Sequence, residues 1–217
     1  MKYRINYRKV GGAVYISHLD IQRAFQRAFR RAALELEYTE GYNPHEKLSY
    51  SPPLPLFVSS DDEYIDLELS GAETAQEVYG KLTGQLPRGL ILNGVRKLLI
   101  TEKPLSKTFV WADYEITARV ANPAEAAERI NEFVLGAQEI ITTKKTKSQK
   151  EARVDIRPLL CEFEAAEEQG LLVIRSFLSM ANEMLLNPFT FIKAIEENVP
   201  LEGGYYIEKI HKLKAYL

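Results

Sequence analysis

The chain opens on strict alternation. Tyr3, Ile5 and Tyr7 interleave with Lys2, Arg4, Asn6 and Arg8, the period of a strand with one buried face. Gly11-Gly12 interrupts the pattern, and Ala13 to Ile16 resumes it. From Ser17 the period becomes helical. Ile21, Phe25, Ala28, Phe29, Ala32 and Leu36 share one face, and Ser17 with Asp20 three residues on is a capping signal. Leu36 to Thr39 reads as a strand, Gly41-Tyr42-Asn43-Pro44-His45 as a turn, and Leu48 to Ser51 as extended chain. Pro52, Pro53 and Pro55 exclude a central strand. Alternation over Glu63 to Leu69, a helix over Ala72 to Leu86 and a strand over Leu90 to Leu99 complete the first half.

Strand, helix, strand, strand, helix, strand is the βαββαβ order of ferredoxin-like folds, here with an irregular insert before the third strand. The second half repeats it. A strand over Phe109 to Val120 precedes a helix capped by Asn122-Pro123, and a strand covers Gln138 to Thr143. Strands over Val154 to Ala165 and Gly170 to Ser179, a helix capped by Asn187-Pro188 and a strand over Tyr205 to Leu217 follow. The expected fold class is therefore α+β: two tandem ferredoxin-like units, residues 1–102 and 108–217, with antiparallel sheets and helices on one face. Lys103 to Lys107, containing Pro104, is the expected boundary. The repeat is one of element order, without evident sequence identity.

Composition narrows the chemistry. At 217 residues, 46% hydrophobic and 27% charged, the chain can bury a core without staples. No apolar run approaches the roughly 20 residues that span a bilayer, and the N-terminus lacks the apolar centre of a secretory signal. No membrane partner and a cytoplasmic location are expected. One cysteine, Cys161, excludes an internal disulfide and a cysteine-based metal site, and its apolar neighbours suggest a buried, inert thiol. The absence of GxGxxG, GxxxxGK, GxSxG and CxxxCxxC argues against an autonomous redox or nucleotide-hydrolysing enzyme. No cofactor and no metal site are expected.

The net charge of −2 is unevenly spread. Arg23, Arg27, Arg30 and Arg31 crowd the polar side of the first helix, with no acidic residue between Asp20 and Glu35. Such a face is either merely solvated or, if its guanidinium groups are unpaired, a grip for phosphates. A second basic stretch carries Lys144, Lys145, Lys147, Lys150, Arg153 and Arg157, which fits phosphate contact or simple solvation. His18 and His45 bracket the helix. They are either structural or, if they face each other, an acid–base pair for a ribose–phosphate backbone. Tyr42 and Asn43 offer a stacking platform and an amide to an unpaired base, or else a turn packed on the sheet.

Ser17-His18-Leu19-Asp20, the arginine-rich helix, Tyr38, Gly41 to His45, Leu48-Ser49, Pro53-Leu54-Pro55-Leu56, Glu63, Tyr64 and Asp66 together resemble an uncharacterised bacterial family. Its members are described as radical SAM-associated, often fused to or encoded beside a radical SAM protein. Asp155-Ile156-Arg157-Pro158 resembles a motif of its second half, whereas Phe57 stands where a glycine is expected. The resemblance implies a radical SAM partner acting nearby, on RNA or another phosphate-bearing substrate. The double ferredoxin-like order is also similar to that of CRISPR repeat-processing endoribonucleases, by fold analogy alone.

The leading expectation is a non-catalytic accessory module with His18, Tyr42, Asn43 and His45 lining a nucleotide pocket. Arg23, Arg27, Arg30, Arg31, Lys144, Lys145, Lys147, Arg153 and Arg157 would hold phosphates. One alternative is a metal-independent endoribonuclease using His18 and His45. Another is a pure protein-interaction domain with Leu34 exposed as a contact point.

Overall fold

The computed structural model describes residues 1–99, 101–105, 108–145, 151–181 and 184–216. The fold is mixed α+β with mostly antiparallel sheet and four α-helices among the described residues, and the chain divides into two units, Met1–Phe109 and Val110–Leu217.

In the first unit β1 (Lys2–Lys9) is followed by α1 (His18–Arg31), β2 (Leu48–Tyr50), β3 (Val58–Glu68), α2 (Ala75–Leu82) and β4 (Leu90–Lys97). The strands lie in the order β4-β1-β3-β2, each neighbour antiparallel. The alternation of β1 sends Tyr3, Ile5 and Tyr7 into a core completed by Phe25 and Phe29 of α1 and by Ile65 and Leu67 of β3. On the other side of β1, the Arg4 guanidinium is buried and bonds both carboxylate oxygens of Asp66, at 2.7 and 2.8 Å.

Several elements end earlier than periodicity suggests. The side chain of Ser17 caps α1, accepting from the amide of Asp20. The helix stops at Arg31, before the last positions of the expected stripe, Ala32 and Leu36, by a turn without glycine. Ala33 takes φ 49°, its amide donates to Arg30 O, and the amide of Leu34 donates to Phe29 O. That is a Schellman stop. It turns Leu34 inward, so the residue expected as an exposed contact point is 6% exposed and belongs to the core.

Gly11–Tyr15 is a 3-10 turn where a resumed strand was expected. Leu36 to Thr39 contributes only the isolated bridges Leu36 to Leu69 and Tyr38 to Glu46. The second helix is shorter than its pattern, beginning after Thr74, which forms a reciprocal capping box with Glu77. Phe57, at the position expected to be glycine, takes φ 65°, a conformation that suits glycine far better than phenylalanine.

The second unit runs β5 (Trp111–Arg119), α3 (Pro123–Gly136), β6 (Ile141–Lys145), β7 (Glu151–Asp155), β8 (Leu160–Glu168), β9 (Leu171–Ser179), α4 (Pro188–Asn198) and β10 (Tyr206–Tyr216). Its strands lie in the order β10-β5-β9-β8, antiparallel, with β6 and β7 paired as a separate hairpin. Asn122 and Asn187 cap α3 and α4, each followed by proline.

The strand expected over Val154 to Ala165 is broken by a 3-10 turn at Arg157–Leu159. The Asp155 carboxylate makes that corner, accepting from the amides of Ile140 at 2.8 Å and Arg157 at 3.0 Å. Beyond it, the edge strand β8 shifts register between Leu160 and Phe163. Cys161 is consequently exposed, not buried. Glu162, Glu164, Glu167 and Glu168 are exposed along the same strand.

Candidate functional site

The polar side of α1 and the turn at Gly41–His45 converge on one open cleft of about 400 Å³. One wall is Gln22, Gln26 and Arg30, spaced four residues apart. The same row begins at His18, whose Nε2 lies 2.9 Å from Gln22 Nε2. The Gln22 amide therefore donates to a neutral imidazole with its proton on Nδ1.

The opposite wall is Tyr38, Pro44, His45, Glu46, Leu48 and Tyr50. A short ladder builds it. The Thr39 amide donates to His45 O at 2.8 Å, the Lys47 amide to Glu37 O at 2.8 Å, and the His45 amide to Thr39 Oγ1 at 2.9 Å. The intervening turn leaves Tyr42 fully exposed and Asn43 exposed beside it.

Of the residues expected to line a nucleotide pocket, only His45 lines the cleft; His18, Tyr42 and Asn43 lie outside its lining. The His18 ring meets Tyr50 edge-on at 5.7 Å and is half-buried, whereas His45 lines the cleft and is exposed. Among the described residues no hydrogen bond joins the two imidazoles. Beside His18 lies a polar pocket. The buried Lys9 ammonium donates to Pro55 O at 3.4 Å, and Ser51 Oγ donates to Glu63 Oε2 at 2.9 Å. Burial pushes the His18 imidazole below its ordinary pKa; Lys9 reinforces this and the Glu63 carboxylate opposes it. Burial likewise lowers Lys9, with Glu63 opposing, and raises the Tyr50 phenol, with Glu46 adding to the rise.

The four arginines are not the unpaired set that their sequence suggests. Arg23 meets Asp20 at 3.3 Å, Arg30 meets Glu46 at 3.0 Å, and Arg31 donates to the side chain and carbonyl of Gln85. Their partners come from the helix's own first turn or from far along the chain, where a scan for nearby acids does not reach. Arg27 is exposed, and its side chain has no hydrogen bond or ion pair among the described residues. It lies with Arg23 and Arg31 on the row beside the cleft wall.

Two side-chain atoms of the cleft have no hydrogen-bond partner among the described residues. Glu46 gives Oε1 to Arg30, whereas its buried Oε2 and the buried hydroxyl of Tyr50 have none there. The Glu46 side chain is only 6% exposed. With Leu48 it also borders a second cavity of about 350 Å³ that includes Lys47, Ser49 and Asp66. Gln22, Gln26, Glu46 and Tyr50 were missed in the sequence reading. For the glutamines the signal was available, since they fill the four-residue steps from His18 to Arg30.

The second basic stretch divides differently. Arg153 is exposed on β7, whereas Arg157 is half-buried and donates to Ala137 O at 3.2 Å, so it braces the Asp155 corner. Lys144 and Lys145 belong to β6, and Lys147 and Lys150 lie outside the described residues. Among the described residues no group of acidic, histidine or cysteine side chains could hold a metal, and no helix is long and apolar enough to cross a membrane.

The fold is similar to that of a solved Cbf5–Nop10–Gar1 complex, with TM-score 0.55 and 11% identity over 98% of this chain and 48% of that one. It is also similar to an H/ACA RNP bound to a substrate RNA containing 2′-deoxyuridine, with TM-score 0.52 and 12% identity over 98% of this chain and 47% of that one. The chain thus spans about half the length of these structural relatives, and the likeness is one of fold. No curated protein matches the sequence. Residues 2–188 match the family described as "Uncharacterized protein conserved in bacteria (DUF2344)", and the chain belongs to that family.

Proposed function

We propose that this protein is a non-catalytic module that holds an RNA segment in the cleft between α1 and the Gly41–His45 turn. The carrying observation is the convergence of those two motifs on one cleft. In this reading the exposed Arg27, with Arg23 on the same helix row, meets phosphates, and the exposed rings of Tyr42 and Tyr38 meet bases. The likeness to a fold found in an RNP with bound substrate RNA supports the same reading. The strand order shared by the two units supports a tandem ferredoxin-like architecture, a scaffold on which extended RNA can lie. The resemblance drawn from the SHLD and GYNPH motifs adds the partner: a radical SAM enzyme that acts on the RNA held here.

The test is fluorescence anisotropy with labelled single-stranded RNA across a salt series. Arg27→Glu is expected to weaken binding of all sequences and to lower the slope of log K against log salt by about 1. Unchanged affinity and slope would remove the reading. Nuclease-treated pull-downs address the partner: a protein with the CxxxCxxC cluster motif should survive the treatment, and its absence would leave only the RNA half standing.

A further inference from the structure

We infer that the cleft selects a guanine nucleotide by exchanging its internal ion pair, the phosphate taking Arg30 and the base edge taking Glu46 with Tyr50. This deepens the proposed function and rests on it. The argument begins with the two unsatisfied atoms. A buried carboxylate oxygen and a buried hydroxyl without partners are rare in native proteins, because each costs most of a hydrogen bond. Here both belong to side chains lining one cleft, Glu46 and Tyr50. Glu46 is the more telling, since its side chain is 94% buried and Arg30 is its one side-chain partner among the described residues. The Arg30 side chain, by contrast, is 69% exposed. The exposed arginine is free to swing to a phosphate, and the cost of leaving the buried carboxylate falls on the donors that the ligand brings in its place.

A ligand that relieves this arrangement must bring donors to Glu46, an anion to Arg30 and an acceptor to Tyr50. Guanine presents N1–H and the N2 amino group side by side, the spacing that a carboxylate accepts with both oxygens, and O6 next to them for a hydroxyl. Adenine offers one amino group between two acceptors, cytosine one amino group beside a single acceptor, and uracil a lone N–H between carbonyls, so each leaves one Glu46 oxygen bare. His45 and Tyr38 supply flat surfaces at the same cleft for the base. The volume of about 400 Å³ suffices for one nucleotide.

The probe is a set of fluorescein-labelled eight-residue oligouridines with G, A, C, U or inosine at the centre, titrated against the full chain. The guanine oligomer is expected to bind roughly ten- to a hundredfold tighter than all-uridine, the value of one good bidentate base contact. Inosine, which lacks the N2 amino group, should lose much of that gain. Glu46→Gln should abolish the preference for guanine over the other four oligomers. Tyr50→Phe, which removes only the hydroxyl, serves as the second variant, with a smaller loss confined to guanine. Equal binding of all five oligomers, or a guanine preference that survives Glu46→Gln, overturns the inference and leaves RNA binding intact. No binding of any oligomer overturns both.

Discussion

Ala33 holds a left-handed conformation that costs a residue with a β-carbon about 1–2 kcal/mol, yet the helix stop depends on it. Ala33→Gly should remove that cost. After the larger entropy of glycine in the unfolded chain, a gain of about 0.5 kcal/mol remains, readable as a raised urea midpoint at unchanged slope. An unchanged or lower midpoint would contradict the assigned turn. His18 makes a second prediction. Its folded pKa is lowered, so the unfolded chain binds its proton more readily. The stability that this histidine contributes is full above its unfolded value of about 6.5 and is lost as pH falls through the window below it. Urea midpoints of the natural chain and His18→Asn should therefore converge as the pH is lowered from 7.5 to 5.5. A constant difference would sink the account. The identity of His18 as a site residue was readable from its place beside a helix cap, whereas the partner of Arg30 was not. Glu46 lies sixteen residues on, and only the glycine-free stop at Ala33 and the ladder after it bring the two together.

Among the elements, those with a local cause were legible. The cap at Ser17 and the Asn-Pro starts of α3 and α4 need only neighbouring residues, and the buried stripe of α1 needs only its own period. What sequence hid were elements decided elsewhere in the chain. The bridges at Leu36 and Tyr38 exist because Leu69 and Glu46 come to meet them, and β2 is three residues long. The 154–165 stretch reads as one strand until the Asp155 carboxylate is seen capturing two amides. Asp155→Ala strips both amides of their acceptor and should destabilise the protein by about 2 kcal/mol. Guanidinium melts would measure the loss, and protease cleavage near the base of the β6–β7 hairpin should appear with it. A melt and cleavage pattern like those of the natural chain would deny the corner its structural role.

On the scale of the whole molecule, a net charge of −2 gives no general attraction for polyanions, so any grip on RNA is local to the α1 side. The mixed α+β class and mostly antiparallel sheet followed from two runs of alternating and helical periods, a pattern that survives errors at individual boundaries. The edge strand β8 bears on how copies of the protein behave together. Asn131 of α3 covers the middle of its outer side, bonding the Ala165 carbonyl at 2.7 Å and amide at 2.9 Å, and the strand carries Glu162, Glu164, Glu167 and Glu168 in the open. Two such edges approaching each other would bring rows of carboxylates face to face, the repulsion by which sheets avoid growing. Colloidal behaviour is thus tied to salt: at low ionic strength the edge repels its own kind, and as salt screens its carboxylates that protection weakens.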